Sequence, residues 1–318
     1  MNNKKNTVKD DGNGGLLCRF AHLILPYLDP AALASVSSTC KELHVVSKSI
    51  TSTRISDASR NFENYPIPFF NSLDTQLYAY FIYSPVQTLP SELGRVSSDP
   101  FLFQVEGAHG CDCESCDLDS GTSCPCMDLD SGLPTRECGP SCGCGSDCGN
   151  RATQKGISVK LKVVKDRRKG WSLCAAEFIP KGKFICEYTG ELLTTEEARN
   201  RQRLYDKNST SCHFSPALLV VKEHLPSGNA CMRINIDATI IGNIARFINH
   251  SCDGGNVCTL IVRSSGALLP RVCFFSSRVI LENEELTFSY GDSTVNSTGS
   301  QCFCGSACCR GILPAEHT

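Results

Sequence analysis

Nine of the 22 cysteines in this 318-residue chain stand close together: Cys111, Cys113, Cys116, Cys124, Cys126, Cys138, Cys142, Cys144 and Cys148. Four more lie near the end, at Cys302, Cys304, Cys308 and Cys309. An odd number of thiols cannot be paired off internally as disulfides. In the reducing thiol pool of nucleus or cytosol, clustered cysteines read as metal ligands. Three tetrahedral zinc ions present twelve ligand positions, which six terminal and three bridging thiolates would fill. The stretch is rich in Gly, Ser, Asp and Pro and nearly lacks apolar residues. Metal binding must therefore supply the folding energy that a hydrophobic core supplies elsewhere. A disulfide knot and a metallothionein-like sponge are the competing readings.

These ligands need elements to hold them. The chain is long enough for one large or two modest domains, and its apolar (41%) and charged (20%) fractions are ordinary. No run of 18 apolar residues occurs, so no membrane-spanning helix is expected. Leu16 to Leu28 is interrupted by Arg19, His22 and Pro26, which makes a poor signal peptide. A net charge of −2 argues against binding nucleic acid by bulk charge.

Residues 1–15 are polar and Gly/Asn-rich, and are expected to be disordered. Residues 16–60 read helical. Asp29-Pro30 supplies an N-cap and a first-turn proline, after which Val36, Cys40 and Leu43 fall on one helical face. Eight of the 24 aromatics lie between Phe62 and Tyr83, and Tyr78 to Tyr83 suits a strand covered on both faces. From Ile157 onward, short apolar strands alternate with turns: Val159–Val164, Phe184–Tyr188, Leu218–Val221, Val257–Val262, Val272–Phe275 and Leu286–Tyr290. One helix is expected over Thr195–Tyr205, opened by a threonine before Glu196 and Glu197. The chain shows neither an internal repeat nor a convincing phosphate loop.

Four segments stand in order within this β-rich half: Lys169-Gly170-Trp171; Glu187-Tyr188-Thr189-Gly190-Glu191; Arg246-Phe247-Ile248-Asn249-His250-Ser251-Cys252; and Glu285-Leu286-Thr287-Phe288-Ser289-Tyr290. Together they resemble the signature of SET-domain lysine methyltransferases. The nine-cysteine block resembles the pre-SET module of the Su(var) branch, and Cys302 to Gly311 resembles a post-SET tail. The resemblance covers roughly residues 100–314 and is closest to the small plant-type Su(var)-related members. It implies a mainly β fold of small curved sheets with a pseudoknot. The expected organisation is an aromatic segment packing on SET (61–108), pre-SET (109–152), SET (153–292) and post-SET (298–314). It also implies a nuclear, chromatin-associated enzyme that methylates a lysine of the histone H3 tail or nucleosome, lysine 9 being the branch's substrate.

The chemistry the resemblance implies is an in-line displacement at the sulfonium methyl of S-adenosylmethionine. The attacking amine must be neutral. A free lysine has a pKa near ~10.4, so only about one in a few thousand is neutral at pH 7. A narrow apolar channel that disfavours the ammonium is required, with oxygens that orient the amine. The family's catalytic tyrosine matches Tyr290. Lys169, Gly170, Trp171, Arg246, Asn249, His250 and Tyr290 match cofactor contacts, with glycine allowing close backbone approach. Phe288 matches the position that sets product degree: without a hydroxyl it leaves room for dimethyl- and trimethyl-lysine. A fourth zinc is implied in the tail, held by Cys252, Cys302, Cys304 and, by family spacing, Cys309 rather than Cys308.

The chain also departs from the pattern. Ser211-Cys212-His213-Phe214 stands where relatives carry Tyr-Leu-Phe, and Asp253-Gly254-Gly255-Asn256 is one residue longer than Asp-Pro-Asn. A SET-derived scaffold without turnover is therefore the rival to an enzyme. Eight acidic residues against Arg136 between Cys111 and Cys148 would attract a basic histone tail. Eight basic residues against one acidic from Arg151 to Lys169 would suit nucleosomal DNA phosphates. Residues 16–60 loosely resemble an F-box, which would dock a Skp-type adaptor; a helical cap on the pre-SET module is the alternative. Cys174, Cys186, Cys231, Cys258 and Cys273 are expected to be buried apolar residues.

Overall fold

The computed structural model describes residues 14–90, 101, 103–114, 116, 124–130, 132–208, 216–224, 231–291 and 300–314. Most of the expected disordered terminus and the Ser211–Phe214 segment lie outside the described residues. The chain divides into two compact units, residues 1–56 and 57–318.

The first unit is helical: α1 (Gly14–Ile24), α2 (Pro30–Ser37) and α3 (Lys41–Ser56). Asp29 caps α2 as expected, its carboxylate accepting from the Ala32 N–H at 2.8 Å. The single helical face through Val36, Cys40 and Leu43 is not one helix, because the chain breaks at Ser38–Cys40 and α3 starts afresh. Ser38 and Thr39 turn their hydroxyls back onto the carbonyls of Ser35 and Val36, a local bond that competes with helix continuation. All three apolar residues still meet in one core with Ala21, Leu25 and Leu33.

The second unit is built from small sheets. Its strands are β1 (Phe69–Phe70), β2 (Ile82–Tyr83), β3 (Asp128–Asp130), β4 (Leu133–Glu137), β5 (Leu161–Asp166), β6 (Gly170–Ala175), β7 (Phe184–Glu187) and β8 (Gly190–Leu193). After α4 (Thr195–Asn208) come β9 (Leu218–His224), β10 (Cys231–Gly242), β11 (Asn249–His250), β12 (Val257–Ser264), β13 (Arg271–Ser276) and β14 (Thr287–Phe288). They pair as β1-β5-β6, as β2-β10-β8 with β9 on β10, as β11-β14, and as β3-β4-β12-β13-β7. One core joins the sheets, with Phe69, Phe81, Leu161, Val163, Ile185, Ile236, Phe274 and Leu286 all buried.

Several expectations need correcting. The aromatic run forms a strand only at Ile82–Tyr83, where the end of β10 offers Ile241 and Gly242 as parallel partners. Tyr83 is buried and Ile82 exposed, so one face is covered, not two. Leu286–Tyr290 pairs as a strand only at Thr287–Phe288. The cap of α4 is Thr194, one residue earlier than expected: its hydroxyl accepts from the Glu197 N–H, and Glu197 accepts from the Thr194 N–H. This reciprocal box satisfies two orphan donors at once. Arg201 of α4 then reaches both Glu191 and Asp237 at 2.7 Å, fixing the helix on β8 and β10. Cys231 is exposed, while Cys174, Cys186 and Cys273 are buried and Cys258 half-buried.

The cysteine segment, poor in apolar residues, nevertheless supplies β3 and β4, and β4 runs parallel to β12. At the end of β4, fully buried Glu137 accepts from the Thr153 backbone and hydroxyl at 2.8 Å and from Arg271 at 2.9 Å. Burying this pair is tolerable because every carboxylate oxygen is satisfied. The pair ties the cysteine segment to β13.

Candidate functional site

Among the nine cysteines, seven are buried and pack on one another, with Cys113 and Cys142 half-buried beside them. The sulfurs form overlapping sets of four: Cys111, Cys113, Cys116 and Cys124; Cys111, Cys126, Cys138 and Cys142; and Cys111, Cys116, Cys138 and Cys144. Sγ–Sγ separations run from 3.6 Å (Cys126–Cys142) through 3.7 Å (Cys111–Cys138) to 4.0 Å (Cys111–Cys144). A tetrahedron with zinc–sulfur arms of about 2.3 Å has an edge of about 3.8 Å, whereas a disulfide would bring sulfurs to about 2.05 Å. The spacing excludes disulfides and suits thiolates gathered around a common ion. Burial pushes the thiols of Cys111, Cys116 and Cys138 up, so thiolates packed this densely require positive charge among them. Cys116 and Cys138 recur in two sets, as bridging ligands would, and Cys111 stands in all three. Cys148 packs in the cluster without joining a set of four.

A second set of four sulfurs, all within 4.8 Å of one another, comprises Cys252, Cys302, Cys304 and Cys309. Cys308 is exposed and contacts the Ser306 hydroxyl instead. Cys252 and Cys302 lie 3.8 Å apart although 50 residues separate them. The tail also meets the hairpin of β5 and β6, where the Arg168 guanidinium lies over the Phe303 ring at 5.4 Å.

Between that tail and the sheets, β11 and β14 run parallel, pairing Asn249 with Thr287 and His250 with Phe288. β14 also bonds to the other side: the Asn256 N–H donates to the Thr287 carbonyl at 3.0 Å. The chain thus threads between Asn249–Ser251 and Gly255–Asn256, forming the pseudoknot. The lengthened loop is built into it. Asp253 accepts from Ser251 and the Gly255 N–H, and a Cβ on Gly255 (φ +75°) would stand 2.1 Å from the Thr287 carbonyl.

Tyr290 follows directly. Its hydroxyl donates to the Ile248 carbonyl at 2.9 Å, and its N–H donates to His250 Nδ1 at 3.1 Å. The Phe288 ring lies 4.8 Å from both Tyr290 and Phe274. Burial holds the His250 imidazole below its usual pKa. Asn249 donates to the Trp171 carbonyl, the Ser172 hydroxyl and Glu285, and Glu285 also pairs with Lys169. Gly170 takes φ +83° with open space where a Cβ would stand. Trp171 Nε1 is buried with no hydrogen-bond partner among the described residues, so a bound group can satisfy it. Arg246 donates to the Thr239 carbonyl and lies over Phe81 and Phe247. Phe69, edge-on to both Trp171 and Phe247, connects it to the others.

Residues 170–291 match the SET domain family. Histone-lysine N-methyltransferase SUVR3 of Arabidopsis thaliana is 52% identical over 329 residues, spanning 94% of this chain and 92% of that protein. The chain belongs to the SET-domain lysine methyltransferases. Among solved SET structures, Arabidopsis thaliana SUVH6 in complex with S-adenosylmethionine superimposes with a TM-score of 0.63 at 28% identity, over 81% of this chain and 55% of that one. KRYPTONITE in complex with mCHH DNA, an H3(1–15) peptide and S-adenosylhomocysteine gives 0.61 at 28%, over 81% and 53%. This chain thus spans about half of each of those two.

Within this SET protein, three signature segments meet through Lys169, Asn249 and Glu285, and the Glu187–Glu191 segment approaches them through Tyr188, edge-on to Phe274. Sequence reasoning quoted Glu285 but assigned it no role, although it joins Lys169 to Asn249. It missed Ser172 and Phe69 altogether. Glu285 was findable as an acid beside an Asn- and Lys-bearing motif set; Phe69 was not, since an aromatic opening a two-residue strand reads as ordinary core. Much of the basic stretch is engaged internally: Arg151 with the Gly139 and Cys144 carbonyls, Lys155 with the Asp147 carbonyl, Lys162 with Asn283, Lys165 with Asp74 and Lys169 with Glu285.

Proposed function

We propose that this enzyme transfers a methyl group from S-adenosylmethionine to lysine 9 of the histone H3 tail, with products up to dimethyl- or trimethyl-lysine. The observation that carries the reading is the knot of β11 and β14, which brings Asn249, His250, Phe288 and Tyr290 together beneath the cysteine-bearing tail. The H3 peptide seen with KRYPTONITE supports the substrate class, and a nuclear site of action follows from it. Zinc is assigned to the sulfur sets, three ions in the cluster and one in the tail.

S-adenosylmethionine supplies the electrophilic methyl; the chain supplies everything around it. Gly170, Trp171 and Asn249 line its site, the unpartnered indole N–H offering a donor there. Phe274 and Phe288 make an apolar wall that disfavours an ammonium, so the lysine enters neutral. The Tyr290 proton is engaged by the Ile248 carbonyl, so the hydroxyl presents a lone pair that orients the amine for attack. Phe288 brings no hydroxyl to the wall, leaving space for a methylated amine. The basic stretch around Lys160 is assigned to DNA phosphates of the nucleosome. No observation favours a Skp-type adaptor for the helical unit, and that reading is set aside.

The test is transfer of labelled methyl to recombinant histones. Wild type should label H3, Tyr290→Phe should lose about 10²- to 10⁴-fold in kcat, and Phe288→Tyr should shift mass-spectrometric products toward monomethyl-lysine. Absence of label from folded, zinc-loaded protein on every histone would overturn the reading.

A further inference from the structure

One side chain touches both the tail's sulfur site and the active-site tyrosine. His250 Nε2 lies 3.2 Å from Cys252 Sγ, and its Nδ1 lies 3.1 Å from the Tyr290 backbone nitrogen. A backbone N–H can only donate, so Nδ1 is the acceptor. A neutral imidazole with Nδ1 accepting carries its hydrogen on Nε2, and that hydrogen points at the Cys252 sulfur. The ring is held in this orientation, being buried and 5.3 Å from the Tyr290 ring. The backbone on either side is tied down as well, because His250 pairs with Phe288 across β11 and β14 and the Ser251 N–H donates to the Phe288 carbonyl.

We propose that His250 is a positioning residue that transmits occupancy of the tail's four-sulfur site to Tyr290. A metal keeps Cys252 as a thiolate, which is a stronger acceptor than a thiol because hydrogen bonds to charged acceptors are shorter and stronger. That acceptor holds the hydrogen on Nε2, which leaves Nδ1 bare to receive the Tyr290 N–H. Residues just outside a metal's ligand shell orient it in this way; here the orientation runs outward, from the ligand to the reacting centre. Without an ion to gather the four sulfurs, Cys252 is no longer held beside Nε2, so the imidazole loses its acceptor and Tyr290 its fixed backbone. This step rests on the methyltransferase reading for its purpose, but not for its test.

Two substitutions separate the two halves of the link. His250→Gln keeps a donor near Nε2 and loses the acceptor for Tyr290. His250→Asn keeps an acceptor near Nδ1 and loses the donor to Cys252. The full chain loaded with cadmium-113 reports each metal site as its own resonance. The tail resonance should move in His250→Asn and stay near wild type in His250→Gln, while the cluster resonances hold still in both and so report an intact fold. Both variants should lose about tenfold in kcat, with KM for an H3 peptide within about twofold. An unmoved tail resonance in His250→Asn, or an absent one in wild type, overturns the link. Equal movement in both variants does so too, since it marks a general disturbance. If wild type transfers no methyl while the resonances behave as expected, the methyltransferase reading fails and the link stands.

Discussion

The two sulfur sites solve the same coordination problem in opposite surroundings. In the pre-SET cluster seven of nine cysteines are buried and Cys111, Cys116 and Cys138 each serve more than one set. In the tail, Cys302 is buried, Cys252 and Cys304 are half-buried, Cys309 is exposed, and no sulfur is shared. Shared, buried ligands make a cluster whose ions stand or fall together and replace a hydrophobic core. Unshared, exposed ligands make a clasp that can open without unfolding the sheets beneath. On the proposed zinc assignment, one site would serve folding and the other the assembly of the active site.

The largest expected effect breaks the cluster. Cys138→Ser removes a sulfur common to two sets, and the protein should lose more than one zinc and its cooperative thermal transition; metal analysis alongside calorimetry measures both. Retention of full metal content would show that the cluster does not share its ligands. Next comes the joint between cluster and sheets. Arg271→Met strands buried Glu137 and should cost about 3–5 kcal/mol in denaturant unfolding, with zinc content kept. A stability change below about 1 kcal/mol would mean that β4 and β12 alone hold the modules together.

A smaller effect isolates the clasp. Cys309→Ser should release one zinc, lower kcat about 10- to 100-fold and leave the thermal midpoint near wild type. Cys308→Ser, at a sulfur outside the set of four, should change neither metal content nor rate by more than about twofold. Loss in Cys308→Ser with none in Cys309→Ser would exchange their roles. Graded chelation sharpens the contrast: activity should fall before structure does, because the exposed clasp gives up its metal first.

Much of this was legible in the residues. Ligand type and short spacing carry the cluster, since thiolates a few residues apart have few alternatives to a common ion. The cap at Asp29 and the apolar runs of β5, β12 and β13 are local patterns, and they appeared close to where expected. The misses share one cause. β1, β2, β11 and β14 are two residues long, too short for periodicity to register, and exist only because a distant partner is present. The helical break at Ser38–Cys40 turned on hydroxyl–carbonyl bonds that apolar spacing does not record.

The sequence by itself determined the chemical inventory: which residues can bind metal, which ring lacks a hydroxyl, which turn demands glycine. These are properties of side chains and near neighbours. Only the tertiary structure decided that Glu137 meets Arg271 from 134 residues away and that His250 stands between Cys252 and Tyr290. Such choices depend on how the sheets close around a common core, and that closure is a property of the whole chain.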